Sequence, residues 1–340
     1  MGSLVLVVKI LLEQTLSIIA CPLCRSELKL DVRKWKKEHI WIGTLICKKC
    51  RNSYPIIKGI PNLKPLNIEK TLMRNEYAQV EKYYDHYTSV HDLNYHNPEL
   101  YYMRGVEDKV ILSTKPKGVV VDIGCGTGRQ TIFLALMNCK VYAVDISRKM
   151  LEILRRRVYN LELQNKIEFI QASADYLPFQ REVFERAYSI FGAYNHAPNY
   201  KEGFNRLEDI LRKGGKTVIS VFNQYRLTWW LYSIVTFKTR WLKKALKSKQ
   251  TYLRHRVGRR KYRAWTHLYT PKEIKQLMKT AGFEKIRIGS ILIFFKPTFR
   301  YNPQTELKGV KSILGKIEDK VRWIPPFNGL GTYLIVYAQK

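Results

Sequence analysis

The stretch VVVDIGCGTG, residues 119–128, determines how the rest of the chain is interpreted. It has the pattern of a buried strand that runs directly into a glycine-rich turn, after which a helix begins. Glycines are needed in such a turn because side chains would block the close approach of a ligand to the backbone. The spacing is G-x-G-x-G, whereas dinucleotide-binding proteins use G-x-G-x-x-G, so the sequence argues against a dehydrogenase.

Strand-like and helix-like segments alternate around this turn, which is typical of a parallel sheet covered by helices. The sequence therefore predicts an α/β fold with a Rossmann-like, doubly wound and mostly parallel seven-stranded sheet, preceded by a smaller module. The predicted strands are Gly118–Ile123, Lys140–Asp145, Ile167–Gln171, Arg186–Phe191, Thr217–Phe222, Lys285–Phe294 and Thr332–Ala338, and the predicted helices lie at about 128–138, 147–160 and 200–212.

Acidic residues follow two of these strands, at the edge where parallel sheets bind their ligands. Asp145 ends the strand after the glycine turn, 21 residues beyond Gly124. A carboxylate at that point can accept hydrogen bonds from both ribose hydroxyls of a nucleoside. Asp175 comes shortly after the next strand, where a carboxylate can meet an adenine amino group. The sequence thus predicts a nucleoside site.

Four of the six cysteines form two C-x2-C pairs separated by 22 residues: Cys21, Cys24, Cys47 and Cys50. Two such turns can direct four thiolates at one tetrahedral zinc ion, with zinc–sulfur bonds of about 2.3 Å. A disulfide framework and a redox C-x2-C pair are the alternatives, and the lack of a secretory signal disfavours disulfides. We predict a small structural zinc-ribbon domain and no metal role for Cys125 and Cys139.

The chain divides into three parts on composition and pattern. Residues 1–63 form the zinc module, with helical apolar spacing over 4–19 and strand alternation over Ile40–Ile46. Residues 64–116 read as a tyrosine-rich helical linker or cap, and 117–340 as the α/β domain, with a basic insertion at about 223–266. No run of 18 or more apolar residues predicts a membrane-spanning helix, so we expect a cytoplasmic protein.

Taken together, these segments resemble the class I S-adenosylmethionine-dependent methyltransferases, in their broad type 11 branch. Residues 14–63 resemble the Trm112-like zinc module through CPLC, CKKC and YPIIKGIP. One departure is Glu185, at a position where the family usually has aspartate before the fourth strand. The segments that carry the first resemblance are VVVDIGCGTG (119–128), VYAVDIS with Met150 and Leu151 (141–151), Asp175–Phe179, Ser189–Phe191 with Asn195 and His196, Leu211–Gly215, and Tyr269–Pro271 through Ala281–Phe283.

The resemblance implies S-adenosylmethionine as the cofactor and assigns residues to it. Asp145 would bind the ribose, Ile146 would cover one adenine face, and Asp175 would hold the adenine amino group. The segment that would pack against the methionine part contains Asp122, Gly124, Gly126 and Gly128.

The chemistry implied is an in-line displacement, which depends on holding the two reactants about 3 Å apart and aligned. A base is required only when the acceptor must lose a proton early. Tyr194, Asn195 and His196 would line the acceptor side, and His196 is either a base or a structural residue.

The charge of the chain indicates an anionic acceptor. The chain has 60 Lys and Arg against 28 Asp and Glu, which gives it a net charge of +32. Between Ile210 and Lys272 there are 17 Lys or Arg and no acidic residue. Within this stretch an apolar stripe has helical spacing, and a basic segment with interleaved aromatics follows. The stripe is Trp230, Ile234, Phe237, Trp241 and Ala245; the basic residues are Arg254, Arg256, Arg259, Arg260, Lys261 and Arg263, with Tyr252, Tyr262 and Trp265 among them.

Four interpretations follow. The insertion is a lid helix with a buried apolar face, a clamp for RNA phosphates and bases, or an interfacial helix at an anionic membrane with a lipid or quinone acceptor. The fourth interpretation concerns the whole chain, as a non-catalytic scaffold whose zinc module binds a partner protein. The zinc module is basic as well, with 11 Lys or Arg against 4 Asp or Glu in residues 1–63. This charge favours tRNA or rRNA as the acceptor.

Overall fold

A computed structural model describes residues 14–36, 39–65, 71–94, 96–237, 249–296 and 301–340. The predicted helical spacing over residues 4–13 and the part of the apolar stripe at Trp241 and Ala245 lie outside these ranges. No helix in the described ranges is long and apolar enough to cross a membrane.

The central sheet has seven strands, as predicted. Its strands are β5 (Val119–Ile123), β6 (Lys140–Asp145), β7 (Ile167–Gln171), β8 (Phe184–Ser189), β9 (Leu211–Phe222), β12 (Glu284–Ile291) and β13 (Tyr333–Gln339). Their order is β12-β13-β9-β8-β5-β6-β7. Strands β5 to β9 run parallel, and β13 pairs antiparallel with β9 and β12. This arrangement confirms the Rossmann-like doubly wound fold.

Several predicted strand boundaries differ from the structure. β8 and β9 begin earlier than predicted, at Phe184 and Leu211, where Arg186 and Thr217 were expected. Two strands also end earlier because of local backbone conformation. The strand predicted to reach Phe191 ends at Ser189, since Phe191 and Gly192 have φ angles of 70° and 90°. The strand predicted to reach Phe294 ends at Ile291, where Leu292 has a φ of 59°. Left-handed residues break the pairing pattern of an extended strand.

Eight helices accompany the sheets in the described part of the chain. α1 (Thr71–Asn94) and α2 (Pro98–Ser113) precede the sheet and correspond to the predicted helical linker. Three helices follow the parallel strands, and three more lie towards the carboxyl end. They are α3 (Arg129–Leu136), α4 (Arg148–Asn160), α5 (Tyr200–Ile210), α6 (Leu227–Val235), α7 (Pro271–Thr280) and α8 (Val310–Val321).

The amino-terminal module is a four-stranded antiparallel sheet in the order β1-β2-β3-β4. Its strands are β1 (Leu28–Lys36), β2 (His39–Cys47), β3 (Ser53–Ile57) and β4 (Ile60–Pro61). The module pairs with the central domain, because the backbone N–H of Leu63 donates to the carbonyl of Gln171 at 2.8 Å. The backbone N–H of Ala20 likewise donates to the carbonyl oxygen of Pro178, at 2.8 Å. The ribbon is therefore joined to the end of β7 and the loop after it.

The basic insertion contains a hairpin that sequence patterning did not predict. β10 (Gln250–Val257) and β11 (Arg260–His267) pair antiparallel around a two-residue turn. Gly258 in that turn has a φ of 58°, which glycine adopts without strain. The inner end of β11 is buried at Ala264 and Trp265, whereas the basic outer part of the hairpin is exposed.

Candidate active site

The glycine turn after β5 is fixed by contacts that leave no room for side chains. A Cβ on Gly124 would lie 2.3 Å from the Cβ of Ala193, and one on Gly128 would lie 1.9 Å from Cδ1 of Leu154. Both glycines also have positive φ angles, 74° and 94°. At Gly126 the nearest atom would be 3.8 Å away, on the ring of His91. The backbone of Gly126 thus remains open to a neighbouring cavity.

Asp145 connects this turn to the end of the next strand. Its Oδ2 accepts a hydrogen bond from the backbone N–H of Gly126 at 2.8 Å, and its Oδ1 accepts one from Ser147 at 2.8 Å. Each oxygen keeps a second lone pair with which it can accept a ligand hydroxyl. Burial raises the pKa of Asp145 to about 6, so the carboxylate is ionised at neutral pH.

A cavity lies above the carboxyl ends of the parallel strands, which is where such sheets bind ligands. The predicted residues Gly124, Gly126, Asp145, Ile146 and His196 all contribute to its wall. The remaining wall comes from α1, from Met150 on α4, and from the ends of β6, β7 and β8 with the segments that follow them. These residues are Val80, Tyr84, His91, Val144, Met150, Ala172, Ser173, Ala174, Ile190, Phe191, Ala193 and Ala197.

Two predicted cofactor residues, Asp122 and Gly128, line an adjoining cavity instead. Asp122 is buried, and its Oδ2 accepts a hydrogen bond from Oγ1 of Thr131 at 2.6 Å. Burial raises its pKa to about 6. This contact joins the end of β5 to α3 and stabilises the turn between them.

Asp175, expected to bind the adenine amino group, does not line either cavity. Its fully buried carboxylate accepts hydrogen bonds from Oγ of Ser173 at 2.5 Å, from the backbone N–H of Asn199 at 2.8 Å and from the hydroxyl of Tyr77. In this arrangement Asp175 holds its own segment in place, and the neighbouring residues Ser173 and Ala174 line the cavity.

Of the three residues expected on the acceptor side, only His196 reaches a cavity wall. Tyr194 and Asn195 are fully buried. The amide of Asn195 donates to the carbonyl of His267 at 2.5 Å and accepts from the backbone N–H of Phe222 at 2.9 Å. Asn195 therefore joins the loop after β8 to β9 and to the basic hairpin.

His196 has a defined tautomer. Its Nδ1 lies 2.8 Å from the carbonyl oxygen of Trp265, so Nδ1 carries the proton and Nε2 has a free lone pair. Within the described chain this buried Nε2 has no hydrogen-bond partner. Burial lowers the pKa of His196 to about 4. The ring is thus neutral at pH 7 and offers an acceptor for an O–H or N–H group in the cavity.

The contribution of α1 to the cavity was not predicted from the sequence. The tyrosine-rich segment was predicted as a helical linker or cap, yet Val80, Tyr84 and His91 form one wall. Their spacing of four and seven residues places them on one face of a helix. That periodicity indicates a buried face but does not distinguish a core contact from a cavity wall.

The four predicted zinc ligands come together in the amino-terminal module. All four sulfurs lie within 4.8 Å of one another. The Sγ atoms of Cys21 and Cys50 are 3.6 Å apart, and those of Cys24 and Cys47 are 3.3 Å apart. A tetrahedral ion with bonds of about 2.3 Å requires sulfur separations of about 3.8 Å. The cluster therefore fits a structural zinc ion, as predicted.

Comparisons with known families agree with both parts of the chain. Residues 120–215 match the family model described as methyltransferase domain, and residues 13–59 match that of Trm112p-like proteins. Uncharacterized protein MJ1252 of Methanocaldococcus jannaschii is 30% identical over 244 residues, which are 72% of this chain and 91% of that protein.

A second relative is the ubiquinone/menaquinone biosynthesis C-methyltransferase UbiE of Wigglesworthia glossinidia brevipalpis, 35% identical over 115 residues. The match covers 33% of this chain and 46% of that protein, so the chain spans less than half of this relative.

Solved structures share the fold. The DhpI-SAM-HEP complex aligns with a TM-score of 0.53 at 13% identity and covers 78% of this chain and 98% of that one. Phosphoethanolamine N-methyltransferase 2 of Haemonchus contortus, in complex with S-adenosyl-L-methionine, aligns with a TM-score of 0.52 at 16% identity. The alignment covers 85% of this chain and 63% of that one. The glycine cradle and the open oxygens of Asp145 fit the nucleoside part of that cofactor.

We propose that Asp145 binds the cofactor ribose, and Asp145→Ala tests this. The variant loses both the ribose acceptor and the anchor of the Gly126 N–H, so we expect the affinity for S-adenosylmethionine to fall about 10- to 100-fold. Isothermal titration calorimetry measures the change. Asp31→Ala, at an exposed position of β1, should bind the cofactor as the wild type does. Unchanged affinity of the Asp145 variant would show that the ribose lies elsewhere.

We expect Cys47→Ser to lose the zinc ion and to unfold the ribbon, because metal binding supplies much of the folding free energy of such modules. Metal analysis measures the zinc content of the full chain. Hydrogen exchange should become fast in residues 14–63. Cys139→Ser replaces a buried cysteine outside the cluster and should keep one zinc per chain. Stoichiometric zinc in the Cys47 variant would contradict the assigned ligand set.

Proposed function

Since the chain belongs to the S-adenosylmethionine-dependent methyltransferases and carries a Trm112-like zinc module, we propose that it methylates an amphiphilic acceptor, a lipid or a quinone, at an anionic membrane surface. The cofactor supplies an electrophilic methyl group on a sulfonium centre when it is bound. The residues around the cavity then have to hold the acceptor in line and exclude water.

The observation that carries the proposal is the exposure of α6. The apolar surface of α6 consists of Leu231, Ile234 and Val235 on the helix and of Phe237 two residues beyond its end, and all four are exposed to solvent. Val235 is 75% exposed and Phe237 is 89% exposed. The interpretation of a lid helix with a buried apolar face does not hold for these residues. A contiguous exposed apolar patch marks an interaction site, and a short helix of this kind suits a membrane interface.

The segment that leads into α6 starts beside the cavity. α6 begins five residues after β9 ends at Phe222. The ring of Phe222 is 6.1 Å from the ring of His196, centroid to centroid, and His196 lines the cavity. The chain therefore connects α6 to the cavity wall through a short segment.

The basic hairpin, which lies in the same insertion as α6, adds an electrostatic contribution. Its outer part exposes six cationic side chains, and its inner end contacts His196 through the Trp265 carbonyl. Each Lys or Arg near an anionic membrane contributes about 1 kcal/mol to binding. The cationic side chains are Arg254, Arg256, Arg259, Arg260, Lys261 and Arg263.

His196 is the residue that we assign to the acceptor side. Its neutral ring and free Nε2 lone pair would accept a hydrogen bond from an acceptor hydroxyl or amine and orient that group. The name of one similar protein supports a quinone acceptor, since it is a ubiquinone/menaquinone biosynthesis C-methyltransferase.

RNA is the second candidate acceptor, and a different observation favours it. The guanidinium of Arg263 lies 4.8 Å from the ring centroid of Tyr252, and Tyr252 is partly exposed on the same hairpin. Exposed arginines beside an aromatic ring suit phosphates and stacked bases. RNA binding does not explain the exposed apolar surface of α6.

Vesicle flotation distinguishes the two candidates. We expect the protein to bind vesicles of phosphatidylglycerol and phosphatidylcholine, with affinity that falls as salt rises. Val235→Asp with Phe237→Asp should lower vesicle affinity at least 10-fold, because each buried apolar side chain is worth about 1.5–3 kcal/mol. Leu136→Asp is the matched control, since Leu136 is exposed on α3 near the amino end of β6. Binding to bulk RNA and not to vesicles would contradict the proposal.

A further inference from the structure

A groove lies between the zinc ribbon and the edge of the central sheet. It has a volume of about 440 Å³ and shares no lining residue with either cavity of the active site. One wall comes mainly from β1 and β2 of the ribbon, and the other from α4 and from β7, the edge strand of the sheet. Small-molecule sites in proteins typically have volumes of about 300–1,000 Å³, so the groove is large enough for a ligand.

Hydrogen bonds between the ribbon and the central domain hold the two walls together. Besides the pairing of Leu63 with β7, two arginines of α4 reach across to the ribbon. The guanidinium of Arg148 donates to the carbonyl oxygen of Ile57 at 2.5 Å, and that of Arg155 donates to the carbonyl oxygen of Lys58. The groove is therefore a fixed feature of the junction between the two domains.

The deep part of the groove is made of apolar side chains from both domains. Leu45 and Ile170 are almost fully buried, whereas Leu30 and Ile40 are only partly covered. Partly covered aliphatic side chains in a recess favour a ligand that brings hydrocarbon, because its binding removes their apolar surface from water. The apolar lining includes Leu16, Leu30, Ile40, Leu45, Phe169 and Ile170.

Aromatic and cationic side chains surround the apolar part of the groove. Trp35 is 48% exposed and Tyr159 is 47% exposed. Two cations lie over the ring of Trp41, with Nζ of Lys36 4.5 Å and the guanidinium carbon of Arg155 5.5 Å from its centroid. Trp and Tyr beside Lys and Arg are typical of a boundary at which hydrocarbon meets polar head groups and water.

The charge of the lining residues is positive and is not neutralised by the fold. Glu168 is the one acidic side chain among the described lining residues, and it forms a salt bridge with Lys140 at 2.7 Å. Lys36 and Arg155 form no salt bridge with any acidic residue in the described ranges. Oε1 of Gln164, also in the lining, is buried without a hydrogen-bond partner in those ranges. The groove therefore offers two cations and an amide to an anionic head group.

We propose that this groove binds a single-chain amphiphile of the fatty-acid class, with an anionic head and a hydrocarbon tail. The tail lies against the apolar residues, and Lys36 and Arg155 hold the head. The aliphatic lining favours this ligand over RNA, which binds through aromatic stacking surfaces and many phosphate contacts. Because the groove lies outside the active site, the proposal does not depend on which acceptor is methylated.

Decanoate, used as a soluble monomer, tests the proposal by calorimetry on the full chain. Octanoate has two fewer methylene groups and should bind about 10-fold more weakly than decanoate. Lys36→Glu should weaken decanoate binding about 10-fold, because an attractive contact with the carboxylate becomes repulsive. Decanol, which has the same tail without the charge, should bind this variant as it binds the wild type.

Two controls separate the groove from other surfaces. Lys34→Glu makes the same change at an exposed position of β1 outside the groove, and it should bind decanoate as the wild type does. Val235→Asp with Phe237→Asp, which removes the apolar surface of α6, should also keep the wild-type affinity. Failure of the vesicle experiment would therefore leave this test intact.

Tryptophan fluorescence reports where the ligand lies. Bromodecanoate quenches tryptophans that it touches, and Trp41→Phe should lose most of the quenching while it keeps the aromatic wall and the affinity for decanoate. Equal decanoate affinities of Lys36→Glu and Lys34→Glu, or undiminished quenching in Trp41→Phe, would overturn the proposal. So would a chain that does not bind decanoate and that uses Lys36 instead to bind polyuridylate or a second copy of itself.

Discussion

The close packing of the glycine turn is the constraint on which the rest of the site depends. The end of β5 can approach the loop after β8 and the helix α4 because Gly124 and Gly128 have no side chains. That approach places the N–H of Gly126 within reach of Asp145, and so joins the ends of β5 and β6. The cavity is the space that remains above these strand ends. Its position follows from the strand order and the turn.

Additional segments close the cavity from three directions. The zinc ribbon pairs with the end of β7 through Leu63 and Gln171, next to Ser173 and Ala174 of the wall. α1 lies across the top and is held by Asp85, whose carboxylate accepts a hydrogen bond from Ser147 at 2.6 Å. The basic hairpin fixes the tautomer of His196 from the remaining side. Recognition of an acceptor thus depends on elements outside the central sheet.

The parts of the fold that could be predicted from sequence are those with a local pattern. Alternating strands and helices, the glycine turn and paired cysteines each depend on a few neighbouring residues. The contacts of Asp175 depend instead on distant partners, Tyr77 and Asn199. The hairpin was missed because Arg and Lys dominate its strands, which contain few of the apolar residues that mark a half-buried strand.

Charge and apolar exposure together indicate which kind of partner the insertion binds. The net positive charge alone fits RNA, an anionic membrane or another anionic partner. The insertion carries an exposed apolar surface on α6 and an exposed cationic hairpin, and these are the two properties that an interfacial protein needs. In this account the zinc ribbon stabilises the cavity wall, and the insertion brings an amphiphile to it.

Transfer of a labelled methyl group tests this account most directly. The protein is incubated with methyl-labelled S-adenosylmethionine and with the cell contents separated into lipid extract, total RNA and water-soluble small molecules. The account predicts label in the lipid extract that depends on the protein and on an intact Asp145. Label that appears in RNA, with none in the lipid extract, would contradict it.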